Sequence, residues 1–346
     1  MHRTVLSLFS GVGGMDLGFT QAGFQVVWAN DNYSDAADTY RRNLGDHIVE
    51  EDVLEIESSA FPECDVIIGG FPCQGFSVAN TQRSKQDGRN RLYLEFVRVL
   101  SATMPRVFVA ENVPGILSLE GGDVLKTIVS DFSDVGYRVS YKVLNAADFG
   151  VPQLRRRVFI VGIRSDVSLK SDSIWPTKTH ADPSSEEAES LSEWVSVGEA
   201  LDHLSPPGPD SDVANHASYS KYKLRFNGYL GHRTIDASAP APTVTGRGDM
   251  KGGVVVMHHP SNTRRMSPRE TAIVQGFPDD FVFSGTNSSV YRQVANAVPP
   301  PLAKAVALAL SKAIVWDEQK PESSEVAIDA TTRTTFSGVQ MEMGFK

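Results

Sequence analysis

Two short stretches carry residue types that could do chemistry. In "IIGGFPCQGFS" (Ile67–Ser77), Cys73 stands between a proline and a glutamine at the end of an apolar run. A cysteine after such a run is by default an inert core thiol, whereas a thiol exposed on a turn after a strand becomes a nucleophile once it is deprotonated. In "LSLFSGVGGMDLGF", Gly11, Gly13 and Gly14 separate an apolar strand from an amphipathic helix. Missing Cβ atoms there let a ligand approach the backbone, and the helix start offers free N–H donors. The next apolar run, "VVWANDN", ends in Asp31, about 20 residues on, where an acid takes ribose hydroxyls in nucleotide-binding folds. Asp52 follows near the end of a third short strand. Because the glycines run Gly-x-Gly-Gly, a cofactor with ribose and adenine but no pyrophosphate fits better than a dinucleotide.

The elements that must position these residues follow from the pattern. From Thr4 to Arg164, β-branched apolar runs ("TVLSLF", "QVVWA", "DVIIGG", "RVFVAE", "RRVFIVGI") alternate with helical stretches ("GGMDLGFTQAG", "RLYLEFVRVLSAT", "VLKTIVSDFSDVG"). That alternation predicts an α/β fold with a mostly parallel sheet covered on both faces. From about Ser165 to Ser288 the texture turns to Pro, Gly, Ser and Thr, with exposed loops at "HADPSSEEAESLSE" and "LSPPGPDSD". "LAKAVALALSKAIVW" (Leu302–Trp316) restores a helix after "VPPP". The expected division is 1–165 for a catalytic and cofactor-binding domain, 166–288 for a smaller irregular domain, 289–316 for a segment returning to the first, and 317–346 for a polar tail.

Composition sets limits on class. With 346 residues, 41% hydrophobic and 22% charged, the chain can bury a large core, and no apolar stretch of membrane-spanning length is expected. Two cysteines, Cys64 and Cys73, exclude a disulfide framework and a cysteine-based metal site; Cys64 reads as a packing residue. His258 and His259 are adjacent, so their side chains diverge on an extended segment, and no metal is expected. Acids outnumber bases 42 to 33, a net charge of −9, so any nucleic-acid face must be local. Bases gather in "TQRSKQDGRNR" (Arg83, Lys85, Arg89, Arg91) and from Lys221 through Arg225, Arg233, Arg247, Lys251, Arg264, Arg265 and Arg269.

Taken in order, these stretches resemble the cytosine-C5 DNA methyltransferases, S-adenosylmethionine-dependent enzymes of the Rossmann-like methyltransferase fold with a small target-recognition domain. "FSGVGG" (Phe9–Gly14) is similar to the family's cofactor loop, Asp31 to its ribose acid, Asp52 to its adenine-side acid, and "GGFPCQGFS" to its nucleophile loop. "ENV" (Glu111–Val113) is similar to the motif of the cytosine-binding acid, and "QLRRR" (Gln153–Arg157) to Gln-x-Arg-x-Arg. "RRMSPRETAIVQGFPDDF" and "YRQVANAV" are similar to the two motifs that end the family's chain. Departures are small: Ala295 and Asn90 stand where glycine is common, and Ser7 where Asp is frequent.

The resemblance implies catalysis by Cys73, Glu111, Arg155 and Arg157. It implies cofactor binding by Phe9, Ser10, Gly11, Val12, Gly13, Gly14, Asp31, Asn32, Asp52, Val53, Gly70, Pro72, Leu92, Asn296 and Ala297. DNA contacts fall to Gln74, Ser77, Arg83, Arg89, Thr243, Thr245 and Arg247. Cytosine C5 is a poor nucleophile, so the thiolate of Cys73 must first add at C6 while a carboxyl group of raised pKa, Glu111, serves N3. Attack above and below the ring requires the base to leave the duplex. The implied partner is double-stranded DNA, with a cognate restriction endonuclease as a functional rather than physical companion, or none for a solitary methylase. A cytoplasmic monomer encoded by a bacterium or phage is expected. Two alternatives stand beside this: a tRNA cytosine-C5 methyltransferase, whose usual recognition signature is not found, and a DNA-binding homologue without activity, disfavoured by the presence of Cys73, Glu111, Arg155 and Arg157.

Overall fold

Five near-continuous apolar runs become neighbouring strands, most of them buried along nearly their whole length, as strands sandwiched between helices require. A computed structural model describes residues 3–71, 91–228, 231–246 and 255–316. The elements of the first half are β1 (Arg3–Leu8), α1 (Gly14–Gln21), β2 (Phe24–Asn30), α2 (Ser34–Leu44), β3 (Ile48–Val49), β4 (Val66–Gly69), α3 (Arg91–Thr103), β5 (Val107–Asn112), α4 (Asp123–Asp134), β6 (Tyr137–Asn145), β7 (Gln153–Leu154) and β8 (Arg156–Arg164). Seven of the strands form one sheet in the order β3-β2-β1-β4-β5-β8-β6. The first five are mutually parallel, and β8 runs antiparallel to both β5 and β6. The mostly parallel sheet expected from the sequence is therefore present. β6 escapes the apolar reading because "YRVSYKVLN" is half-exposed at the sheet edge, and α2 because "SDAADTYRRNL" is largely polar.

One core cluster lies under α3 and α4, where Phe96, Phe108 and Phe132 pack edge to face or tilted; Cys64 is buried in it, as expected of a packing residue. A second cluster joins Val12 and Ala36 of the first half to α5 (Val197–Leu201), α6 (Pro268–Val274) and α7 (Asn287–Asn296). Between these helices, regular structure is sparse: β9 (His180–Ala181), β10 (Ser192–Glu193) and β11 (Ala241–Pro242) have two residues each. Contacts gather the described residues up to Ile314 into one compact unit.

The last helix, α8 (Pro300–Ala313), packs on α1. A Cβ on Gly18 would fall 2.6 Å from Ala303 Cβ, Lys304 N and Pro300 O, so only glycine lets the two helices approach so closely. Contrary to the composition-based expectation, Asn287–Ala313 is long and apolar enough to cross a membrane by length and composition. More than half of its apolar window, 56%, is buried inside the protein, as in a core helix.

Candidate active site

The cofactor cradle forms at the carboxyl ends of β1, β2 and β3. β1 ends at Leu8 and Phe9 turns to a positive φ of 54°, a costly conformation for a bulky residue that its surroundings must enforce. Ser10 then bonds back to Asn30 O through its N–H (2.9 Å) and hydroxyl (3.1 Å), and Gly13, left-handed at φ 81°, precedes α1. Asp31 closes the turn: its Oδ2 accepts from Gly11 N at 2.8 Å and its Oδ1 from Tyr33 N at 2.9 Å. Burial pushes its pKa up against the pull of those two N–H groups. Each oxygen keeps a lone pair, so the carboxylate is aligned by the backbone yet can still accept from a vicinal diol. Asn30 Nδ2 donates to Val49 O and Glu51 O, which brings Asp52 beside the cradle; Asp52 itself caps a short helical turn through Leu54 N at 3.1 Å. Val12 is buried, Val53 is buried, Leu92 is half-buried at the start of α3, and Asn32 is exposed. A ribose-bearing cofactor without phosphates fits this donor set, in which the aligned charge is a carboxylate and not a cation.

The next strands bring the reacting groups. β4 ends at Gly69, and a Cβ on Gly70 would lie 3.1 Å from Glu111 Oε2, so the absent side chain lets the strand end lie against this carboxylate. Glu111, at the end of β5, has a side chain 12% exposed and pairs through Oε1 with Arg157 Nε at 2.8 Å. Burial raises its pKa, and the guanidiniums of Arg157 and Arg155 work in the opposite direction. Asn112, which sequence reasoning passed over, accepts from Val113 N and donates to Phe71 O at 3.0 Å, tying β5 to the base of the Cys73 loop. Pro72, Cys73, Gln74, Ser77, Arg83 and Arg89 lie outside the described residues, as does Arg247.

Arg155 and Arg157 divide their work. Arg157 meets the carboxylate, while Arg155 is buried and donates to Val244 O (2.7 Å), Ala295 O (2.8 Å) and Ala297 O (3.1 Å). Gln153, also fully buried, donates to Val274 O and Gln275 Oε1 and accepts from Val244 N, and Gln275 donates to Ala297 O. The Gln-x-Arg-x-Arg strand is thus a hub that ties the Thr243–Thr245 stretch and the end of α7 to the sheet. Ala297 also contacts Gly14, and Asn296 lies beside Gly246. Thr243 and Thr245 line a cavity of about 230 Å³ with Arg233, Ile235, Met257 and His258.

Three arginines of the basic cluster are not surface charges. Arg264 forms a bidentate pair with buried Glu270, at 2.7 and 2.6 Å, beneath the capping box that starts α6. Arg265 (3% exposed) and Arg269 (0%) are buried and donate to backbone carbonyls. Sequence alone does not separate a phosphate-binding arginine from one that serves a coil interior. His258 and His259 diverge: the first packs against Phe226, the second bonds Ser261 and faces Glu270 at 3.7 Å. Among the described residues there is no group of three or more His, Cys, Asp or Glu side chains placed to hold a metal.

A mostly parallel sheet with a glycine loop after β1 and an acid after β2 is the architecture of the methyltransferases. A DNA modification methyltransferase encoded within an E. coli prophage has a crystal structure that superposes with a TM-score of 0.67 at 27% identity, covering 89% of this chain and 98% of that one. The chain belongs to the C-5 cytosine-specific DNA methylases, whose family profile matches residues 3–312. It is 37% identical to the type II methyltransferase M.NgoFVII of Neisseria gonorrhoeae, over 86% of this chain and 83% of that one. It is 38% identical to M.BsuRI of Bacillus subtilis, over 92% and 82%. The fold is shared with the Dnmt2 methyltransferase of S. pombe, with a TM-score of 0.61 at 19% identity.

Proposed function

We infer that this chain methylates cytosine at C5 in double-stranded DNA, with S-adenosylmethionine as the methyl donor and Cys73 as the nucleophile. The observation that carries the reading is the Glu111–Arg157 pair, set against Gly70 at the base of the Cys73 loop, with β4 between its strand β5 and the β1 end of the Asp31 cradle. S-adenosylmethionine, when bound, supplies an electrophilic methyl group. Phe9–Gly14, Asp31 and Asp52 would hold its ribose and adenine end, with Ala297 packed against Gly14 at the back of the loop.

Cys73 adds to C6 of the extruded base, and the electron density pushed into the ring is accommodated at N3 by Glu111. Burial favours the protonated form of this carboxyl, so it can share or give a proton there, and Arg157 sets its orientation. Arg157 keeps terminal donors for O2 of the base, and Arg155 acts as a positioning residue beneath it. Once C5 carries the methyl group, its proton passes to water and the Cys73–C6 bond breaks by β-elimination, which returns the thiolate. Residues 1–165 carry the chemistry, 166–288 read the DNA through Thr243, Thr245 and Arg247, 289–316 return to the first part, and 317–346 are a polar tail. The similarity to relatives named type II methyltransferases supports a restriction-modification role, with a cognate restriction endonuclease as a functional and not a physical companion, or a solitary methylase with none, and we propose a cytoplasmic monomer.

The test is transfer of tritium from labelled cofactor to duplex DNA, single-stranded DNA and tRNA, followed by bisulfite sequencing of a plasmid carrying the gene. Label at C5 of duplex cytosines at one recurring sequence is expected. Label in tRNA alone would move the enzyme to the RNA-modifying branch.

A further inference from the structure

The segment between β3 and β4 carries Asp52, the adenine-side acid of the cradle, and Val53, yet no strand or long helix holds it in place. It consists of two short helical turns, Val53–Glu55 and Ser58–Ala60, and the chain around them. Its own backbone bonds, Glu55 N to Asp52 O, Ile56 N to Val53 O and Ala60 N to Glu57 O, close each turn on itself. On the β2 side Asn30 donates to Glu51 O. The opposite side needs a second hold if a flat ring is to meet this segment at a fixed distance.

Arg98, on α3, supplies it. Each of its three nitrogens donates to a different partner: Nε to Glu95 at 2.6 Å, Nη1 to Ser58 Oγ at 2.8 Å and Nη2 to Val53 O at 2.9 Å. Its guanidinium carbon lies 5.4 Å from the centre of the Phe61 ring, which meets Trp28 of β2 edge to face at 5.1 Å. One planar fork thus joins both helical turns to α3, which the point charge of a lysine does not reproduce. The Arg98 side chain is 30% exposed, so its ion pair with Glu95 contributes little to stability. What the arrangement supplies is geometry.

Leu92, Glu95 and Arg98 follow at three-residue spacing along one inclined row of α3. Leu92, at the start of that row, packs against the core cluster that includes Val53. Two residues implied for the cofactor, Leu92 and Val53, therefore stand on elements that Arg98 bonds together, and their separation is the width of a slot. Asp52, one residue before Val53, caps its turn through one oxygen and Leu54 N at 3.1 Å, which leaves acceptor capacity on the carboxylate. An acceptor at the purine edge favours adenine, whose exocyclic amino group donates, over hypoxanthine, whose oxo group accepts.

We propose that Arg98 is a positioning residue for the cofactor: by bonding Val53 and Ser58 to α3 it sets the width of the adenine slot and holds Asp52 where it tells an amino from an oxo group on the purine. The proposal rests on the S-adenosylmethionine reading given above. Because Arg98 acts through Val53 and Asp52, its removal shows in cofactor binding and not in the chemical step.

Calorimetry with S-adenosylhomocysteine and its inosyl analogue, beside steady-state kinetics and thermal melting, tests it. The wild type should bind the adenosyl compound at least about tenfold more tightly than the inosyl one. Arg98→Ala should weaken adenosyl binding about tenfold and inosyl binding by no more than about twofold, and should raise KM for S-adenosylmethionine about tenfold with kcat within about twofold of the wild type. Arg98→Lys should restore only part of the adenosyl preference. Ser58→Ala, a change at an exposed side chain, should lower that preference about twofold. An adenosyl preference unchanged in Arg98→Ala, whatever its melting temperature, would assign Arg98 to fold stability alone and overturn the proposal, as would a wild type without the preference. If Arg98→Ala does not fold, wild-type preference in both Arg98→Lys and Ser58→Ala is the contrary result. A wild-type enzyme that binds neither S-adenosylmethionine nor S-adenosylhomocysteine would overturn the earlier reading, and this one with it.

Discussion

The sheet half of the molecule and the coil-rich half use buried charge for opposite purposes. In the sheet, strands satisfy the backbone, so buried ionisable groups are free for chemistry: Glu111 and Arg157 face each other, and Asp31 takes two N–H groups and retains acceptor capacity. In the second half few strands are present, and carbonyl groups left without ladder partners would be costly to bury. Guanidiniums serve them instead. Arg269 donates to Ala214 O, Pro278 O and Phe281 O, and Arg265 to four carbonyls. Arg155 stands on the border, with the sequence motif of the first half and the bonding of the second. The lesson is that in the coil-rich half buried arginines serve carbonyls that no strand pairs, whereas on the sheet side Arg157 is left to meet a carboxylate.

The comparison breaks if removing a sheet charge unfolds the protein, or if removing a coil arginine leaves stability intact. Glu111→Gln keeps shape and hydrogen bonding to Arg157, so melting should change little while methyl transfer falls about 10²–10⁴-fold, the range for loss of a positioned proton donor. Single-turnover transfer together with calorimetry separates the two effects. Arg269→Ala strands three buried carbonyls and should cost about 3–5 kcal/mol in urea unfolding, with the remaining folded enzyme still active.

Asp16 sharpens the comparison, since it is a sheet-side charge with a structural task. Fully buried, it accepts from Ser7 Oγ and Tyr40 Oη, and burial lifts its pKa to about 6. The native state therefore holds a proton that the unfolded chain releases. Stability from this group is full below the ordinary aspartate value and is lost as pH rises through about 6, by up to about 3 kcal/mol. Unfolding at pH 5 and pH 7.5 should show about 1–1.5 kcal/mol of that loss in the wild type, since the rest falls below pH 5, and a flatter profile in Asp16→Asn.

The smallest effect concerns the cradle. Asp31→Ala should weaken S-adenosylmethionine binding by about 1–3 kcal/mol, the scale of a charge-assisted hydrogen bond. Because burial raises the pKa of Asp31, wild-type affinity should fall as pH drops, with a midpoint above the usual aspartate value. Calorimetry across pH, with Asp31→Asn lacking the dependence, checks it.

Much of the sheet half was legible in the sequence because buried parallel strands are apolar without interruption, as in "VFVA" and "VFIVGI", and because Gly11–Gly14 and Asp31 fall at fixed offsets from strand ends. β6 and α2 were not, since an edge strand and a surface helix carry polar residues that propensity assigns to coil. The second half was legible only as irregular. The roles of Arg155, Arg265 and Gln153 depend on backbone groups of residues about 90 to 140 positions away or on loops of unpredictable course, and no local pattern encodes such partners. Asn112 was within reach: a polar residue ending an apolar strand beside a functional acid often bonds the adjacent strand end, here Phe71 O.

The central claim is that Cys73 attacks cytosine in DNA. Incubation of wild-type and Cys73→Ala enzyme with duplex DNA and isotope-labelled S-adenosylmethionine, followed by nucleoside mass spectrometry, tests it directly. The account predicts labelled 5-methyldeoxycytidine from the wild type and none from Cys73→Ala, with cofactor affinity retained in the variant. Label on an exocyclic nitrogen, or turnover by Cys73→Ala near the wild-type rate, would contradict it.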